Sequence, residues 1–339
     1  MPIKIAINGF GRIGRAAFKA ALNNKNLEVV AINDLMDTKT LAHLLKYDSV
    51  YRTYERKVKP LADGLEVDGK KYLVTAEKDP AALPWGKLNV DVVLECTGIF
   101  TDGKKASAHL TAGAKRVIIS APAKDDQTQT LVLGTAKTAE CIKNKKCDLV
   151  VSNASCTTNC IAPVMQVLED AFGIEKAMMT TIHSYTNDQN LVDAPHRDLR
   201  RARAAAANMI PTTTGAALAT GKVIPSLNNL FDGISVRVPT ICASIADITC
   251  LLKKKSVTVE QINDAFKKAA HTPQFKGILA VSNEPLVSGD YIGNSYSTIV
   301  DLDYTSVVGG NLIKVLAWYD NEWAYSLRLV ELAEKIGKI

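Results

Sequence analysis

The hydrophobic pattern of the N-terminal half alternates between strand-like and helix-like periods. Near-alternating apolar residues over 3–7 predict a first strand, AAFKAALNN has helical spacing, and LEVVAIND predicts a second strand. Further buried strands are predicted in VDVVLECTG, RVIISAP and DLVVSNAS, with KASAHLTAG predicted as a helix between the first two. Strands that alternate with helices indicate an α/β domain with a doubly wound parallel sheet.

The pattern changes after about residue 154. Longer β-branched strands with few helices between them are predicted in MMTTIHSY, ISVRVPT, SIADITCLL, STIVDLD and NLIKVLAWYD. They indicate an α+β domain with a largely antiparallel sheet, and NEWAYSLRLVELAEKIGKI predicts a C-terminal helix. We therefore expect a first domain over 1–155, joined by the C-terminal helix 321–339, and a second domain over 156–320. Residues 188–208 have no clear period and predict a long ordered loop, which is often functional.

Composition narrows the class of protein. Among the 339 residues no apolar run approaches the roughly 18 that a membrane span needs, and the first residues resemble a strand rather than a leader peptide. A cytoplasmic address is the expectation. The formal charge of +6 suits anionic ligands or an ordinary surface, and the densest basic stretches lack aromatic neighbours, so nucleic acid is not expected as a primary partner. Seven scattered cysteines predict free thiols in a reducing compartment.

Gly9, Gly11 and Gly14 form a G-x-G-x-x-G motif between the first strand and its helix. The glycines permit a tight turn and close approach of a pyrophosphate to the helix N-terminus. Asp34 ends the next predicted strand about 20 residues later, where an acid can bind the ribose 2′-hydroxyl. The alternative is that Asp34 only caps a helix beginning near Thr38. Because a carboxylate repels a 2′-phosphate, the motif predicts NAD rather than NADP.

Cys156 lies between a predicted strand and a predicted helix, in the block SNASCTTNC. A cysteine at a helix N-terminus has a stabilised thiolate, with a pKa between about 3.5 and 7.5 when a cation or imidazole also helps. The alternative is a buried cysteine that behaves as a small hydrophobe. Cys160 is assigned to packing, since no second ligand pair follows it and no metal site is expected. The remaining cysteines are also predicted to be packing residues: Cys96, Cys141, Cys147, Cys242 and Cys250.

His183 ends a predicted strand and precedes SYTND. A structural role is the usual one for a histidine at a strand end. A neighbouring strand could, however, place His183 beside the helix that carries Cys156, and thiol activation requires such a pair.

A set of ordered motifs now carries a family resemblance. They are INGFGRIGR, NDL, LAHLLKYDSV, SNASCTTNC, TIHSYTNDQ, DLRRARAAA, IPTTTGAA, VRVPT and WYDNEWAYS. Over essentially its whole length the chain resembles the phosphorylating glyceraldehyde-3-phosphate dehydrogenases, and the cysteine block is very specific to them and their close relatives. The resemblance implies an NAD-dependent enzyme of glycolysis or gluconeogenesis that oxidises and phosphorylates D-glyceraldehyde 3-phosphate to 1,3-bisphosphoglycerate. It also implies a homotetramer.

The resemblance further implies individual roles. Cys156 would attack the aldehyde and carry the thioester that inorganic phosphate cleaves, and His183 would activate the thiol and serve as the base. Thr186 and Arg237 would hold the substrate's own phosphate. The site for the attacking phosphate would comprise Ser155, Cys156, Thr157, Arg201, Thr214 and Gly215, although Arg200 or Arg203 could take the place of Arg201. The cofactor positions would be Gly9, Gly11, Arg12, Ile13, Gly14, Asp34, Lys78, Thr97, Ser120 and Asn321.

Two departures and two rivals accompany this hypothesis. Lys78 stands where many relatives have Arg, and Ala194 precedes Pro195 where strict NAD enzymes often have Leu. The nearest rival is erythrose-4-phosphate dehydrogenase, in which the residues after the histidine and the T-T-T-G stretch diverge. The other is an RNA-binding or structural protein that keeps a dinucleotide fold. Intact Cys156 and His183 favour the enzyme.

Overall fold

The structure, a computed structural model, describes residues 1–339, which form two compact units. The first unit comprises Met1–Leu131, Cys141–Ala154 and Tyr325–Ile339. The second comprises Val132–Glu140 and Ser155–Ala324. The second unit thus also includes 132–140, Ser155 and 321–324, which the sequence predicts to belong to the first domain and its C-terminal helix.

A nine-stranded sheet forms the centre of the first unit, in the order β10-β11-β9-β8-β1-β2-β7-β6-β5. Its strands are β1 (Ile3–Asn8), β2 (Leu27–Asn33), β5 (Val58–Leu61), β6 (Gly64–Val67), β7 (Lys70–Thr75), β8 (Val92–Glu95), β9 (Arg116–Ile119), β10 (Gln129–Thr130) and β11 (Val150–Ser152). A separate two-stranded ribbon pairs β3 (Tyr47–Asp48) with β4 (Arg52–Thr53). All pairs from β10 to β7 are parallel, which confirms the predicted doubly wound sheet.

Helices accompany the parallel strands of this unit. They are α1 (Arg12–Ala21), α2 (Thr38–Lys46), α3 (Gly103–Ala106) and α4 (Ala108–Thr111), together with most of α9 (Trp323–Ile336). A further helix, α5 (Ala136–Lys143), begins in the second unit and ends in the first. The central strands are buried on both faces, as their continuous apolar sequences require.

A seven-stranded sheet forms the centre of the second unit, in the order β13-β14-β12-β15-β18-β17-β16. Its strands are β12 (Ile174–Ser184), β13 (Ile210–Thr213), β14 (Phe231–Val238), β15 (Ser244–Leu252), β16 (Leu279–Ser282), β17 (Thr298–Val308) and β18 (Leu312–Tyr319). Only the β12–β14 and β16–β17 pairs are parallel, so the expectation of a largely antiparallel sheet is confirmed.

Three helices belong to the second unit: α6 (Cys156–Phe172), α7 (Ala216–Val223) and α8 (Val259–Ala270). The helix α6 packs against β15, β17 and β18, and it is buried along most of its length. Residues of β12 and β15 alternate between buried and more exposed positions, as expected of a sheet covered on one face. Residues 185–209 contain no helix or strand except a 3₁₀ turn at Ala205–Ala207.

Two of the predicted free thiols are joined. Cys141 and Cys147 form a disulfide, so the expectation of seven free cysteines is wrong at these positions. After α5 the chain turns back through Lys145, whose φ is +54°, and this turn brings the two Cα atoms to 5.3 Å, a normal separation for a bridge. No helix is long and apolar enough to cross a membrane. No group of three or more His, Cys, Asp or Glu side chains is placed to hold a metal ion.

Candidate active site

Cys156 begins α6, and its neighbour Ser155 caps that helix. Ser155 has an extended backbone, and its hydroxyl accepts a hydrogen bond from the amide of Thr158 at 3.0 Å. A serine cap satisfies one of the amides that the start of a helix leaves without an intrahelical partner. The cap therefore fixes Cys156 in the first turn, where the partial positive charge of the helix is concentrated.

His183 lies near the end of β12 and meets Cys156. Its Nε2 is 3.4 Å from the Cys156 Sγ, and its Nδ1 is 2.6 Å from the carbonyl oxygen of Ser184. Because a carbonyl can only accept, Nδ1 carries the ring proton and Nε2 is free to accept. The thiol therefore donates to Nε2, which is the orientation that a general base requires.

Arg237 lies beside this pair because β14 runs parallel to β12 with Arg237 in register with His183. Its Nη1 donates to the Ser184 carbonyl at 3.2 Å and to the Thr186 Oγ1 at 3.4 Å, and it lies 3.1 Å from the His183 Nδ1. Its Nε is buried and has no hydrogen-bond partner. Arg237 forms no salt bridge with a carboxylate. Desolvation lowers its pKa, and the more distant Asp188 carboxylate offsets this only in part, so a largely desolvated cation faces Thr186.

Burial sets the ionisation of the pair. Desolvation, and then the charge of Arg237, lowers the pKa of His183 to about 3. Desolvation also raises the pKa of Cys156, against the opposing effects of Arg237 and of hydrogen bonds from Thr157. The expected lowering of the thiol pKa is therefore wrong, because desolvation raises the pKa more than Arg237 and the Thr157 hydrogen bonds lower it. The two side chains meet as a neutral thiol and a neutral imidazole.

Arg201 lies against the strand that leads to Thr214. Its Nε donates to the Thr212 Oγ1 at 2.8 Å, and its Nη2 lies 3.5 Å from the Thr213 carbonyl oxygen. It also forms salt bridges with Asp188 and Asp198. The Arg201 side chain is therefore within the segment expected to bind a second anion, but two carboxylates already oppose its charge.

The two alternatives to Arg201 lie elsewhere. Arg203 pairs with Asp193 in an exposed salt bridge at 2.8 Å, and Arg200 is exposed. Thr214 accepts from the amide of Ala216, at the start of α7. Gly215 precedes α7, and a Cβ at Gly215 would meet no atom within 4 Å. The start of α7 is thus open on this side.

Two glycines of the G-x-G-x-x-G motif lie where any larger residue would clash with the backbone. Gly9 has φ +92°, and a Cβ there would lie 2.7 Å from the Thr97 nitrogen. A Cβ on Gly14 would lie 2.0 Å from the Gly9 carbonyl oxygen, so α1 can pack this closely only with glycine. Gly11 caps α1 without a side chain, and a Cβ there would meet nothing within 4 Å. The start of α1 therefore leaves room for a pyrophosphate.

Asp34 follows β2, and its carboxylate accepts hydrogen bonds from two backbone amides. Its Oδ2 accepts from the amide of Phe10 at 2.7 Å, and its Oδ1 accepts from that of Met36 at 3.0 Å. The cap of α2 is Asp37, which accepts from Thr40, so the alternative that Asp34 is only a helix cap is wrong. A carboxylate has about four acceptor positions, and two remain for a ribose hydroxyl.

The other predicted cofactor residues have varied surroundings. The Arg12 Nη1 binds Asp48 at 2.8 Å, and the carbonyl of Ile13 accepts from Ser326 at 3.4 Å. Lys78 is exposed. The Thr97 amide donates to the Glu95 carboxylate at 2.8 Å, and the Ser120 amide donates to the Glu95 carbonyl. The Ser244 hydroxyl donates to the Asn321 Oδ1 at 3.0 Å.

Comparison with known proteins decides the family. The chain matches the model of the glyceraldehyde 3-phosphate dehydrogenase NAD binding domain over residues 3–103, and that of the C-terminal domain over residues 155–321. Glyceraldehyde-3-phosphate dehydrogenase of Geobacillus stearothermophilus is 53% identical over 337 residues, 99% of both chains. The proteins of the same name from Priestia megaterium and Zymomonas mobilis are 54% and 51% identical, each over at least 99% of both chains.

The chain belongs to the glyceraldehyde 3-phosphate dehydrogenase family. It is accordingly an NAD-dependent dehydrogenase. As a member of this family it needs a nicotinamide cofactor, and the glycine positions described above fit one, because Gly9 and Gly14 bring α1 close to the sheet and Gly11 leaves its first turn uncovered.

Sequence reasoning missed Tyr319 in this dehydrogenase. The buried hydroxyl of Tyr319 lies 2.9 Å from the Thr157 Oγ1 and 2.8 Å from the Thr181 Oγ1, and its ring contacts that of His183 edge-on, with centroids 5.9 Å apart. It thus links α6, β12 and β18 beneath the cysteine and the histidine. The alternation of NLIKVLAWYD places Tyr319 on the buried face of its strand, which was the available signal.

Proposed function

We propose that this enzyme oxidises D-glyceraldehyde 3-phosphate and phosphorylates it to 1,3-bisphosphoglycerate, through a thioester on Cys156. The observation that carries the proposal is the Cys156–His183 pair, in which the thiol donates to an imidazole nitrogen at 3.4 Å while Arg237 and Thr186 lie alongside. A nucleophile, a base and an anion-binding cation are the parts that this reaction needs.

The first step would be addition of the thiol to the aldehyde. The Cys156 sulfur forms a bond to the carbonyl carbon while the thiol proton passes to the His183 Nε2. The aldehyde oxygen then takes this proton from Nε2 and becomes the hydroxyl of a thiohemiacetal, which leaves His183 neutral again. The amide of Cys156 and the protonated His183 would stabilise the developing oxyanion, as donors in an oxyanion hole do.

His183 would act again during oxidation. Neutral Nε2 accepts the hydroxyl proton as the carbon–oxygen double bond re-forms. Bound NAD supplies the acceptor for the hydride that leaves the same carbon, so that a thioester remains. A phosphate oxygen then attacks this carbonyl, the carbon–sulfur bond breaks, and the Cys156 thiolate is released together with the acyl phosphate. The addition and oxidation steps would thus use Cys156 as the nucleophile and His183 as the base, as in other covalent mechanisms.

Two sets of groups would bind the two anions. Arg237 and Thr186 suit the substrate's own phosphate, because the buried guanidinium has an unpartnered Nε and forms no salt bridge with a carboxylate. Ser155, Thr157, Thr214, Gly215 and Arg201 would bind the attacking phosphate. Arg201 must then share its charge between that phosphate and Asp188 or Asp198, which makes it the weaker cation of the two.

The proposed cofactor residues are Gly9, Gly11, Arg12, Ile13, Gly14, Asp34, Thr97, Ser120 and Asn321, with Lys78 near the adenosine. The backbone amides at the start of α1 would bind the pyrophosphate. The remaining acceptor positions of Asp34 would bind the ribose hydroxyls.

We also propose a homotetramer in the cytoplasm. Apolar side chains of the second unit are exposed on the sheet face opposite α6 and in the loop over 185–209, among them Met178, Leu191, Val192, Leu199 and Ile234. We take these side chains as the candidate interface, since closed symmetric assembly is the usual form of soluble oligomers and would cover them. The mechanism depends on a free Cys156 thiol, which suits a reducing compartment, whereas the Cys141–Cys147 disulfide does not support one.

A spectrophotometric assay of NADH formation tests the reaction. With glyceraldehyde 3-phosphate and inorganic phosphate, we expect continuous turnover. Without phosphate, we expect a burst of about one NADH per active site and then a near stop, because the thioester accumulates. Equal steady rates with and without phosphate would show hydrolysis instead. A preference for erythrose 4-phosphate would favour the rival dehydrogenase, and no NADH with either substrate would contradict both.

A further inference from the structure

A row of buried polar side chains crosses the carboxyl ends of three parallel strands in the first unit. Asn8, Asn33 and Glu95 are the last residues of β1, β2 and β8, and the sheet register pairs Asn8 with both of the others. Each is at most 5% exposed. The Asn33 Nδ2 donates to the Asn8 Oδ1 at 2.8 Å, and the Asn8 Nδ2 donates to the Glu95 Oε2 at 2.6 Å. The row is thus one continuous hydrogen-bonded chain.

His109 ends this row on the side of α4. It is fully buried, its Nε2 lies 2.9 Å from the Glu95 Oε2, and the Trp85 indole nitrogen lies 3.0 Å from its Nδ1. Since an indole N–H can only donate, Nδ1 is an acceptor and Nε2 carries the proton that is donated to Glu95. His109 is therefore neutral, and the hydrogen bond from its Nε2 orients the Glu95 carboxylate.

Glu95 in turn binds the loop that follows β8. Its Oε1 accepts from both the amide and the hydroxyl of Thr97, while its Oε2 accepts from Asn8 and His109. Four donors fill the capacity of a carboxylate, so the group cannot rotate without breaking a bond. At the other end of the row, the Asn33 Oδ1 accepts from Thr75 and from the amide of Glu77.

Each member of the row precedes a loop that carries a proposed NAD residue. Gly9 follows Asn8, Asp34 follows Asn33, and Thr97 lies two residues after Glu95. These loops touch one another directly: a Cβ on Gly9 would lie 2.7 Å from the Thr97 nitrogen, and Asp34 binds the amide that follows Gly9. A small displacement of Thr97 would therefore alter the surface offered to the dinucleotide.

We propose that His109, acting through Glu95, is a positioning residue for NAD: the buried row sets the place of Thr97 relative to Gly9 and Asp34. The inference rests on the proposed cofactor residues. His109 does not itself bind the cofactor. Loss of its bond to Glu95 releases the Thr97 loop, and the affinity for NAD falls more than the stability of the fold explains.

His109→Phe tests this role, because it keeps a ring of similar size but removes both polar contacts. Titration calorimetry with NAD should give a Kd at least tenfold higher than that of the wild-type protein. His109→Gln should recover the affinity to within about threefold, since its amide can accept from Trp85 and donate to Glu95. The alkylation rate of Cys156 without NAD should be unchanged in both variants.

Val117→Ala is the matched control. Val117 is buried in the same hydrophobic cluster as Trp85 and takes no part in the row. It should lower the Tm through loss of packing, yet leave the Kd for NAD within about twofold of wild type. A Kd for His109→Phe that is no higher than that of Val117→Ala would overturn the proposal.

Glu95→Gln provides a second variant should His109→Phe fail to fold. An amide of the same shape turns a donor toward groups that already donate, so a tenfold weaker affinity is again expected, and an unchanged Kd would overturn the proposal. Failure of the wild-type protein to bind NAD would remove the proposed dinucleotide site itself, and this inference with it.

Discussion

At the scale of single residues, Cys156 and His183 form an uncharged pair, and the charge of Arg237 lowers the pKa of both side chains. Burial keeps the proton on sulfur, and the same guanidinium that favours a thiolate disfavours an imidazolium. An anion paired with Arg237 would cancel part of both effects and allow His183 to accept a proton more readily. Substrate binding would thereby prepare the base as well as position the aldehyde.

Replacing the nucleophile gives the simplest prediction. Cys156→Ser should abolish oxidation, because a hydroxyl is far less acidic than a thiol and its ester is a poorer acyl donor. NAD binding should persist, since Cys156 is not among the proposed cofactor residues. NADH formation and NAD titration are the two measurements, and Cys250→Ser, a buried cysteine that sequence and structure assign to packing, is the control. More than a few per cent of the wild-type rate in Cys156→Ser would rule out thiol catalysis.

His183→Asn should slow oxidation by about 10²–10⁴-fold, the usual contribution of an acid–base group. It should also slow alkylation of Cys156 near neutral pH and move the alkylation profile to higher pH. The sign follows because burial raises the pKa of the thiol, so the thiol is neutral at pH 7 and must lose its proton as it reacts. Without His183 no side-chain base takes that proton, and the thiolate forms only at higher pH. His271→Asn, at an exposed position near the end of α8, is the control and should change neither. An unaltered profile in His183→Asn would refute the pairing.

Asp34 should decide between the two nicotinamide cofactors. Asp34→Gly should raise kcat/KM with NADP relative to NAD, because it removes the charge that would repel a 2′-phosphate. It also removes the acceptors for the Phe10 and Met36 amides, so Asp34→Asn is the closer variant: it loses the charge but keeps one acceptor oxygen for the Phe10 amide. Both should shift the NAD/NADP ratio in the same direction. A ratio unchanged in both would remove Asp34 from the ribose site.

The scale of helices and strands separates what the sequence predicts from what it does not. The chain predicts β1, α1, β2 and α6 well, because each couples a clear hydrophobic period to a cap or glycine signal. The sequence does not predict the antiparallel strands β5–β7, because they are short and partly polar. Only their pairing with one another at the edge of the sheet defines them. By contrast α8 has a capping box at Thr258 and Gln261 that the sequence displays, so it was predictable in principle.

Contacts between distant segments account for the rest of the site. The sequence indicates Cys156 and His183, but only the register of β12 with β14 brings Arg237 beside them. At Cys156 burial raises the thiol pKa and Arg237 lowers it, and this balance depends on the folded surroundings, so the expectation from the sequence had the wrong sign there. In the same way, the sequence around His109 does not predict its hydrogen bond to Glu95, because that bond depends on how the strands of the sheet align.

At this scale the cap of α6 should matter for both stability and activity. Ser155→Ala removes the bond to the Thr158 amide and should lower the free energy of unfolding by about 0.5–2 kcal/mol. It should also raise the KM for inorganic phosphate, because the hydroxyl is one of the proposed ligands and the first turn of α6 loosens. Denaturant unfolding and steady-state kinetics measure the two effects.

Thr258→Ala is the control for that experiment. Thr258 caps α8 in the same manner and lies in no proposed site, so its loss should cost a similar free energy while the KM for phosphate stays the same. Equal kinetic effects in the two variants would mean that Ser155 acts only through the stability of its helix.

At the scale of the whole molecule, the long loop over 185–209 needs an explanation. It contains almost no regular structure, yet it carries Thr186 and Arg201 and is held by hydrogen bonds within itself. The Ala205 amide donates to the Asn190 carbonyl, and the Ala204 amide donates to the Asp193 carboxylate. Sequence patterns predicted a long ordered loop here. They could not predict which side chains it would expose, because exposure depends on the folded path of the chain.

The assembly prediction follows from those exposed side chains: the enzyme should be a homotetramer, with the loop at a subunit interface. Leu199 is 81% exposed and Leu191 is 78% exposed in the single chain, next to residues that catalysis must hold in place. Packing against a second copy would bury them and hold the loop. Light scattering at micromolar concentration should give about four times the 36.6 kDa mass of the chain.

Leu199→Glu should reduce that mass and the activity together, because a charge in an interface core is costly. Leu149→Glu changes an exposed apolar residue of the first unit in the same way and should alter neither the mass nor the activity. The comparison separates an interface effect from a general effect of surface charge. A wild-type mass near that of one chain with full activity would show that the loop is held by its own hydrogen bonds and needs no neighbour.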